Sequence, residues 1–285
     1  MTDILLVEDS PSQMAMITGL LQTAGYDVRC ANDGVQAMKA VKQQQPDLVI
    51  SDLIMPNMNG GELTRAIVQD HPSIPVLVIT ARGSESLAVD ALADGAVNFV
   101  PKALLDMRLV SVVAELIERV RVDQRCDRSG ANLVVPELIF NIKSDLRAIA
   151  PVTGYIQETL AFAGAMDALS RYRLTSAIHS ALVNTICYGN LGMRDEEAIY
   201  RLIRGETEAP EVPHKVRLVL SVGVRDTRVS VAHDGPAAMT RTSPAPGTPE
   251  SFELEDCRGM LLITSFMDKV ILNASSTELI MVKNT

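Results

Sequence analysis

Cysteine, basic charge and long hydrophobic runs are all in short supply in this chain, and each shortage excludes something. The four cysteines, Cys30, Cys126, Cys187 and Cys257, are scattered, with no Cys-x-x-Cys pair and no nearby histidine cluster. That spacing argues against a zinc site or a disulfide framework and for ordinary reduced thiols. No apolar stretch approaches the ~20 residues that cross a bilayer, and no basic segment precedes a hydrophobic core at the amino terminus. A cytoplasmic location away from membranes is expected. Lysine and arginine total 26 against 35 acidic residues, a formal charge of −9. Residues 1–120 hold 8 basic and 15 acidic side chains, and residues 136–285 hold 15 and 18. Neither half offers the basic face that nucleic-acid binding needs, so no nucleic-acid partner is expected.

What is present is a chain of 285 residues with a hydrophobic share of 47% and a charged share of 21%. This is comfortable for two domains of ordinary size. Residues 1–122 alternate short apolar runs with amphipathic stretches. Strands are expected at Ile4–Val7, Asp27–Ala31, Leu48–Ser51, Val76–Thr80 and Val97–Val100. Helices are expected at Gln13–Thr23, Gly34–Gln44, Glu62–Asp70 and Ser84–Ala93. This predicts an α/β fold, a doubly wound five-stranded parallel sheet, whose reactive site lies beyond the carboxyl ends of its strands.

Those strand ends read, in order, Glu8-Asp9, Asp52, Thr80-Ala81 and Pro101-Lys102. Three carboxylates gathered at one sheet edge repel one another unless a cation sits among them, and a hard divalent ion such as Mg²⁺ suits oxygen ligands. In phosphoryl transfer to a carboxylate, Asp9 and Asp52 hold the metal, Lys102 pairs with a phosphoryl oxygen, and the Thr80 hydroxyl bonds another. Asp52, central in the set, is the expected nucleophile. Taken singly, each residue has a blander reading: a turn or cap for the aspartate, a strand end for Thr80, a core aromatic for Phe99. Their joint order decides the matter.

The set resembles the bacterial response-regulator receiver domain, through Glu8-Asp9, Asp52 followed by Met55-Pro56, Thr80-Ala81, Phe99 and Lys102. The resemblance implies a flavodoxin-like fold and an acyl phosphate on Asp52, received from a sensor histidine kinase or a phosphotransfer protein. It also implies Mg²⁺ held by Glu8, Asp9, Asp52 and the backbone carbonyl of Ile54, and a switch in which Thr80 moves toward the phosphoryl group as the Phe99 ring turns inward. One departure is local: the family commonly has proline after the lysine, and here Pro101 precedes Lys102. Ile54 places an apolar side chain where a polar one positions an attacking water, so slow self-dephosphorylation is expected.

A helix is expected over Leu104–Val122, where Leu105, Leu109, Val112, Leu116 and Val120 recur at helical spacing. Val113 and Ile117 widen the stripe enough for a homodimer contact or a contact to the second half as well as internal packing. The charged stretch 123–132 reads as a linker. Residues 133–285 read as an α+β two-layer domain: a long helix through Leu174–Ile186 carrying Ser180, Asn184 and Tyr188 on a second face, and a hairpin of Val216–Val224 and Arg228–Ala232 joined by Asp226-Thr227. A helix over Gly259–Asp268 and strands Val270–Asn273 and Glu278–Val282 complete it.

The order of these segments is similar to the GHKL ATPase superfamily, most closely its anti-sigma-factor serine kinase branch. The likeness rests on Ala181-Leu182-Val183-Asn184 with Tyr188-Gly189-Asn190, on His233-Asp234-Gly235-Pro236, on the lid position 236–256, and on Cys257-Arg258-Gly259-Met260. The resemblance implies that Asn184 binds Mg²⁺, that the turn at 233–236 reads adenine, and that the helix start at Arg258-Gly259 faces the phosphates of ATP. Four departures oppose catalysis. Ser180 stands where the kinases carry an acidic base, His233 where they carry the adenine-reading aspartate with Asp234 displaced by one, Ala237 and Cys257 where they carry glycines. A serine hydroxyl cannot replace a carboxylate as base, and a Cβ keeps phosphate from the backbone. The expectation is a vestigial nucleotide site and an output by protein interaction, with a sigma factor, an anti-sigma antagonist or a second copy as partner. The rival is a phosphorylation-regulated, ATP-dependent serine kinase.

Overall fold

In a computed structural model the described residues are 2–81, 85–126, 137–164, 166–223, 226–239 and 254–284, and they fall into two compact units, Met1–Val120 and Arg121–Thr285. The first alternates β1 (Asp3–Val7), α1 (Pro11–Thr23), β2 (Asp27–Ala31), α2 (Gly34–Gln43), β3 (Leu48–Asp52), α3 (Gly60–Asp70), β4 (Val76–Thr80), α4 (Glu85–Asp94), β5 (Asn98–Pro101) and α5 (Leu105–Cys126). The strands form one parallel sheet in the order β2-β1-β3-β4-β5. This is the flavodoxin-like arrangement expected, with its switch point between β1 and β3. Every residue of β3 and β4 is buried, which is why Leu48-Val49-Ile50 and Val76-Leu77-Val78-Ile79 are unbroken apolar runs: helices cover both faces of a parallel sheet.

Local chemistry sets the helix ends. Pro11 starts α1, Asp33 caps α2 through the Gln36 N–H at 2.8 Å, and Asn59 and Glu62 form a reciprocal capping box on α3. Helix α5 buries Leu105, Leu109, Val112, Val113, Leu116, Ile117 and Val120. It continues to Cys126, so the first four residues of the expected linker are helical; residues 127–132 lie outside the described residues.

The second unit holds β6 (Glu137–Lys143), α6 (Ile149–Ala163), α7 (Ala168–Asn184), α8 (Glu196–Ile203), β7 (Lys215–Val222), β8 (Asp226–His233), α9 (Glu255–Phe266), β9 (Lys269–Leu272) and β10 (Glu278–Asn284). Its sheet is antiparallel throughout, in the order β6-β7-β8-β10-β9. Alternate residues, among them Val216, Leu218, Leu220, Val229, Val231, Leu279 and Met281, point into one core shared with Ile156, Leu174, Ile178, Leu182 and Ile263 of the helices. Two layers, sheet and helix, match the α+β expectation.

Details differ from the sequence reading. Asp226 and Thr227 belong to β8, and the Gly223 N–H donates to the Asp226 carbonyl at 2.8 Å across the bend. The long helix starts six residues before Leu174 and passes after Asn184 into a π-helical turn at Thr185–Asn190. Its second face is buried: Ser180 is 9% exposed, Asn184 1% and Tyr188 0%. Tyr188 turns its hydroxyl to Glu196 at 3.1 Å, so the charged run Arg194–Glu197 anchors a core side chain. His179, beside Ser180 on α7, is partly buried.

Candidate functional site

Parallel pairing brings the ends of β1, β3, β4 and β5 to one edge: Val7 is in register with Ser51, Asp52 with Ile79, and Thr80 with Pro101. Ligand atoms of Glu8, Asp9 and Asp52 lie within 4.8 Å of one another there. Glu8 and Asp52 are buried, at 1% and 5% exposure, while Asp9 faces solvent. The Lys102 ammonium reaches across from the turn just after β5 and donates to Asp52 Oδ2 at 2.9 Å and Glu8 Oε2 at 3.2 Å. Burial opposes its charge, but the Asp52 hydrogen bond and the fields of Asp52 and Glu8 outweigh this and raise its pKa. Burial raises the pKa of Glu8, and the Asp52 charge adds to it, against the Ser10 N–H and Lys102. One cation therefore stands against three carboxylates, two of them buried. That donor set, all oxygen and with one ligand open to solvent, fits Mg²⁺.

The rest of the edge is prepared by groups that no single motif revealed. The Leu53 N–H donates to Asp52 Oδ1 at 2.7 Å and the Ser10 N–H to Glu8 Oε1 at 3.1 Å, which fixes both carboxylates. Asn57, at φ 65°, donates through its side chain to Asp33 Oδ2 at 2.8 Å and so ties the β3–α3 loop to the cap of α2. Gly60 packs on the backbone of Asp52 so closely that a Cβ would lie 2.2 Å from its carbonyl oxygen. The run Asn57-Met58-Asn59-Gly60-Gly61 was the signal for this turn. Thr80 is buried at the end of β4, Phe99 is fully buried in β5, and the Ile54 side chain is 57% exposed.

In the second unit the resembling motifs come together, but mostly in interior packing. Gly259 of α9 lies against Asn184 of α7, with a Cβ position 3.0 Å from Asn184 Oδ1. Ser180 and Arg258 are also buried, the latter at 4% exposure. Asp234 accepts the Lys215 N–H at 2.8 Å. His233 Nδ1 lies 3.1 Å from both Asn190 Oδ1 and the Gly235 N–H, and its ring fills the space a Cβ on Gly189 would need. Burial holds the imidazole pKa down. Most of the expected lid, residues 240–253, lies outside the described residues.

Comparison with known proteins bears on the first unit. The family model "Response regulator receiver domain" matches residues 4–114. "Transcriptional regulatory protein ZraR" of Klebsiella oxytoca is 38% identical over 122 residues, which is 43% of this chain and 28% of that protein. "Protein PilH" of Pseudomonas aeruginosa is 31% identical over 115 residues, 40% of this chain and 95% of that protein. The crystal structure of the receiver domain of NtrX from Brucella abortus is 31% identical, covering 41% of this chain and 98% of that one at a TM-score of 0.40. The chain spans 28% to 64% of the length of the first curated relatives that it matches.

Proposed function

The chain belongs to the response-regulator receiver family, and on that premise we propose that Asp52 is its phosphoacceptor, with a catalytically degenerate GHKL-like unit as the output. The observation that carries the receiver half is the Lys102 ammonium held between Asp52 and Glu8 beside the open carboxylate of Asp9. Glu8, Asp9, Asp52 and the Ile54 carbonyl would hold Mg²⁺, which supplies charge neutralisation to an incoming phosphoryl group. Asp52 Oδ attacks phosphorus as the bond to the phosphohistidine nitrogen of a sensor kinase or phosphotransfer protein breaks. Lys102 then exchanges its contact with Asp52 for a phosphoryl oxygen, Thr80 donates its hydroxyl to another, and Phe99 follows inward. No helix among the described residues is long and apolar enough to cross a membrane.

The second unit acts through protein contacts in this reading. Three observations support lost catalysis. Ser180 offers no base, Asp234 is spent on the Lys215 backbone, and the Gly259 turn of α9 is seated on Asn184. The partner in this reading is of the class that the resemblance to anti-sigma kinases implies, a sigma factor or an anti-sigma antagonist.

The test is phosphorylation of the purified chain with a small acyl-phosphate donor and Mg²⁺. Base-labile, hydroxylamine-sensitive label is expected on the native chain and none on Asp52→Asn; label retained in that variant shows another acceptor. Calorimetry with ATP and Mg²⁺ tests the output half, where no heat of binding is expected. Binding would favour the serine-kinase reading instead.

A further inference from the structure

The outer face of the second unit's sheet, opposite its core, carries a row that crosses all five strands and is apolar on four of them, with Ser230 of β8 at its centre donating its hydroxyl to Glu278 at 2.9 Å. Register places Ile139 beside Val219, Val219 beside Ser230, Ser230 beside Ile280 and Ile280 beside Ile271. The row ends on the two edge strands, where Ile139 is 50% and Ile271 42% exposed. A charged residue on an edge strand is ordinary; large β-branched apolar side chains at both edges, level with an apolar row between them, are a surface made for covering.

The neighbouring rows say what covers it. One row runs Glu137, Ser221, Arg228, Val282, Lys269 from β6 to β9, and the other includes Arg217 on β7 and Glu278 on β10. Consider a two-fold axis in the interface parallel to the central strand β8. It lays each strand over the strand equally far on the other side of β8 in the second copy, with the rows unchanged. Ile139 then faces Ile271, Val219 faces Ile280, and Ser230 faces itself. In the flanking rows Glu137 faces Lys269, and Arg217 faces Glu278. Two apolar pairs and two opposite-charge pairs, each made twice by the symmetry, follow from register alone. Such self-complementarity is what an isologous interface demands, and face-to-face sheets pack with nearly aligned strands.

We infer that this outer sheet face binds a second copy of the chain, aligned β8 on β8 about a two-fold axis. The inference deepens the reading of the second unit as an interaction module, and it stands apart from receiver chemistry. Two positions in the same row oppose it: Ser221 faces Val282, and Arg228, exposed in the single chain, meets its own mate at the axis, a like-charge pair that limits the strength of the dimer. The association is therefore held below its maximum.

The test is sedimentation equilibrium of the full chain from low to high micromolar concentration, with acyl-phosphate formation followed in the same samples to report an intact receiver. A reversible dimer is expected. Ile139→Asp should weaken it by about tenfold or more. Glu137→Lys should weaken it, and adding Lys269→Glu should restore it. Arg228→Ser should tighten it. Both reversals lie on exposed side chains, so folding is preserved and circular dichroism checks this. A monomer at every concentration overturns the inference and leaves the face to another part of the chain. A dimer indifferent to these substitutions, or a double reversal without rescue, overturns it equally.

Discussion

Gly60 rests against the main chain of Asp52, leaving no room for even a methyl group between α3 and the end of β3. The Gly60 N–H also donates to the Leu53 carbonyl at 3.1 Å. Gly60→Ala must push one of the two backbones, and Asp52 cannot move without losing Lys102 at 2.9 Å. The expected cost is about 1–3 kcal/mol in stability, typical of overpacking, together with slower acyl-phosphate formation. Chemical denaturation and the rate of labelling check the two effects separately.

Glu8 makes the pH dependence of the receiver unit depend on metal. Burial lifts its folded pKa above the ordinary glutamate value of 4.5. Between those two values the native state binds more protons than the unfolded chain, so stability falls as pH rises through that window, and the full cost persists above it. In metal-free buffer Glu8→Gln should raise the melting temperature at neutral pH and leave it unchanged well below pH 4.5. Adding Mg²⁺ should raise the melting temperature of the native chain and raise that of the variant less. Thermal scans with and without chelator read both.

Ile54 should lengthen the life of the acyl phosphate. Its side chain is 57% exposed beside the site and has no polar atom with which to orient water. Ile54→Gln is expected to speed dephosphorylation by about tenfold or more, the scale of a positioned water. Loss of label within seconds from the native chain would contradict this account.

His233 should make the second unit weaken on acidification. Burial lowers its folded pKa, and His214 adds to that, against the Ser276 backbone and Asp234. The unfolded chain therefore takes up a proton near pH 6.5 before the native state does, and stability present above 6.5 is lost as pH falls toward the folded value. His233→Asn should flatten that fall. Following the unfolding transition of the full chain between pH 7.5 and 5 by circular dichroism measures it.

The first unit was nearly all legible because each signal was local. Five apolar runs, their helical spacers and a charged or polar residue at each strand end define the parallel sheet and, by its topology, the edge where Glu8, Asp9, Asp52, Thr80 and Lys102 meet. The second unit was less legible. Strand β6 was missed because its partner β7 is far away in sequence, beginning at residue 215, so no hairpin pattern marks it. The burial of Ser180 and Asn184 on the second face of α7 could not be read from the helix alone, because α9, which packs there through Gly259, comes from far along the chain.

What the amino-acid order determined by itself was therefore periodicity and chemistry: which segments pair as strands or coil as helices, and which carboxylates and cation share an edge. Only the tertiary structure decided distances of closest approach and cross-strand register. The contact of Gly60 with Asp52, the burial of Asn184 under Gly259, and the apolar row from Ile139 to Ile271 each join residues whose nearness is set by packing. Strand pairing is a long-range choice made by the whole core at once, and a shift of one residue would have turned that row inward.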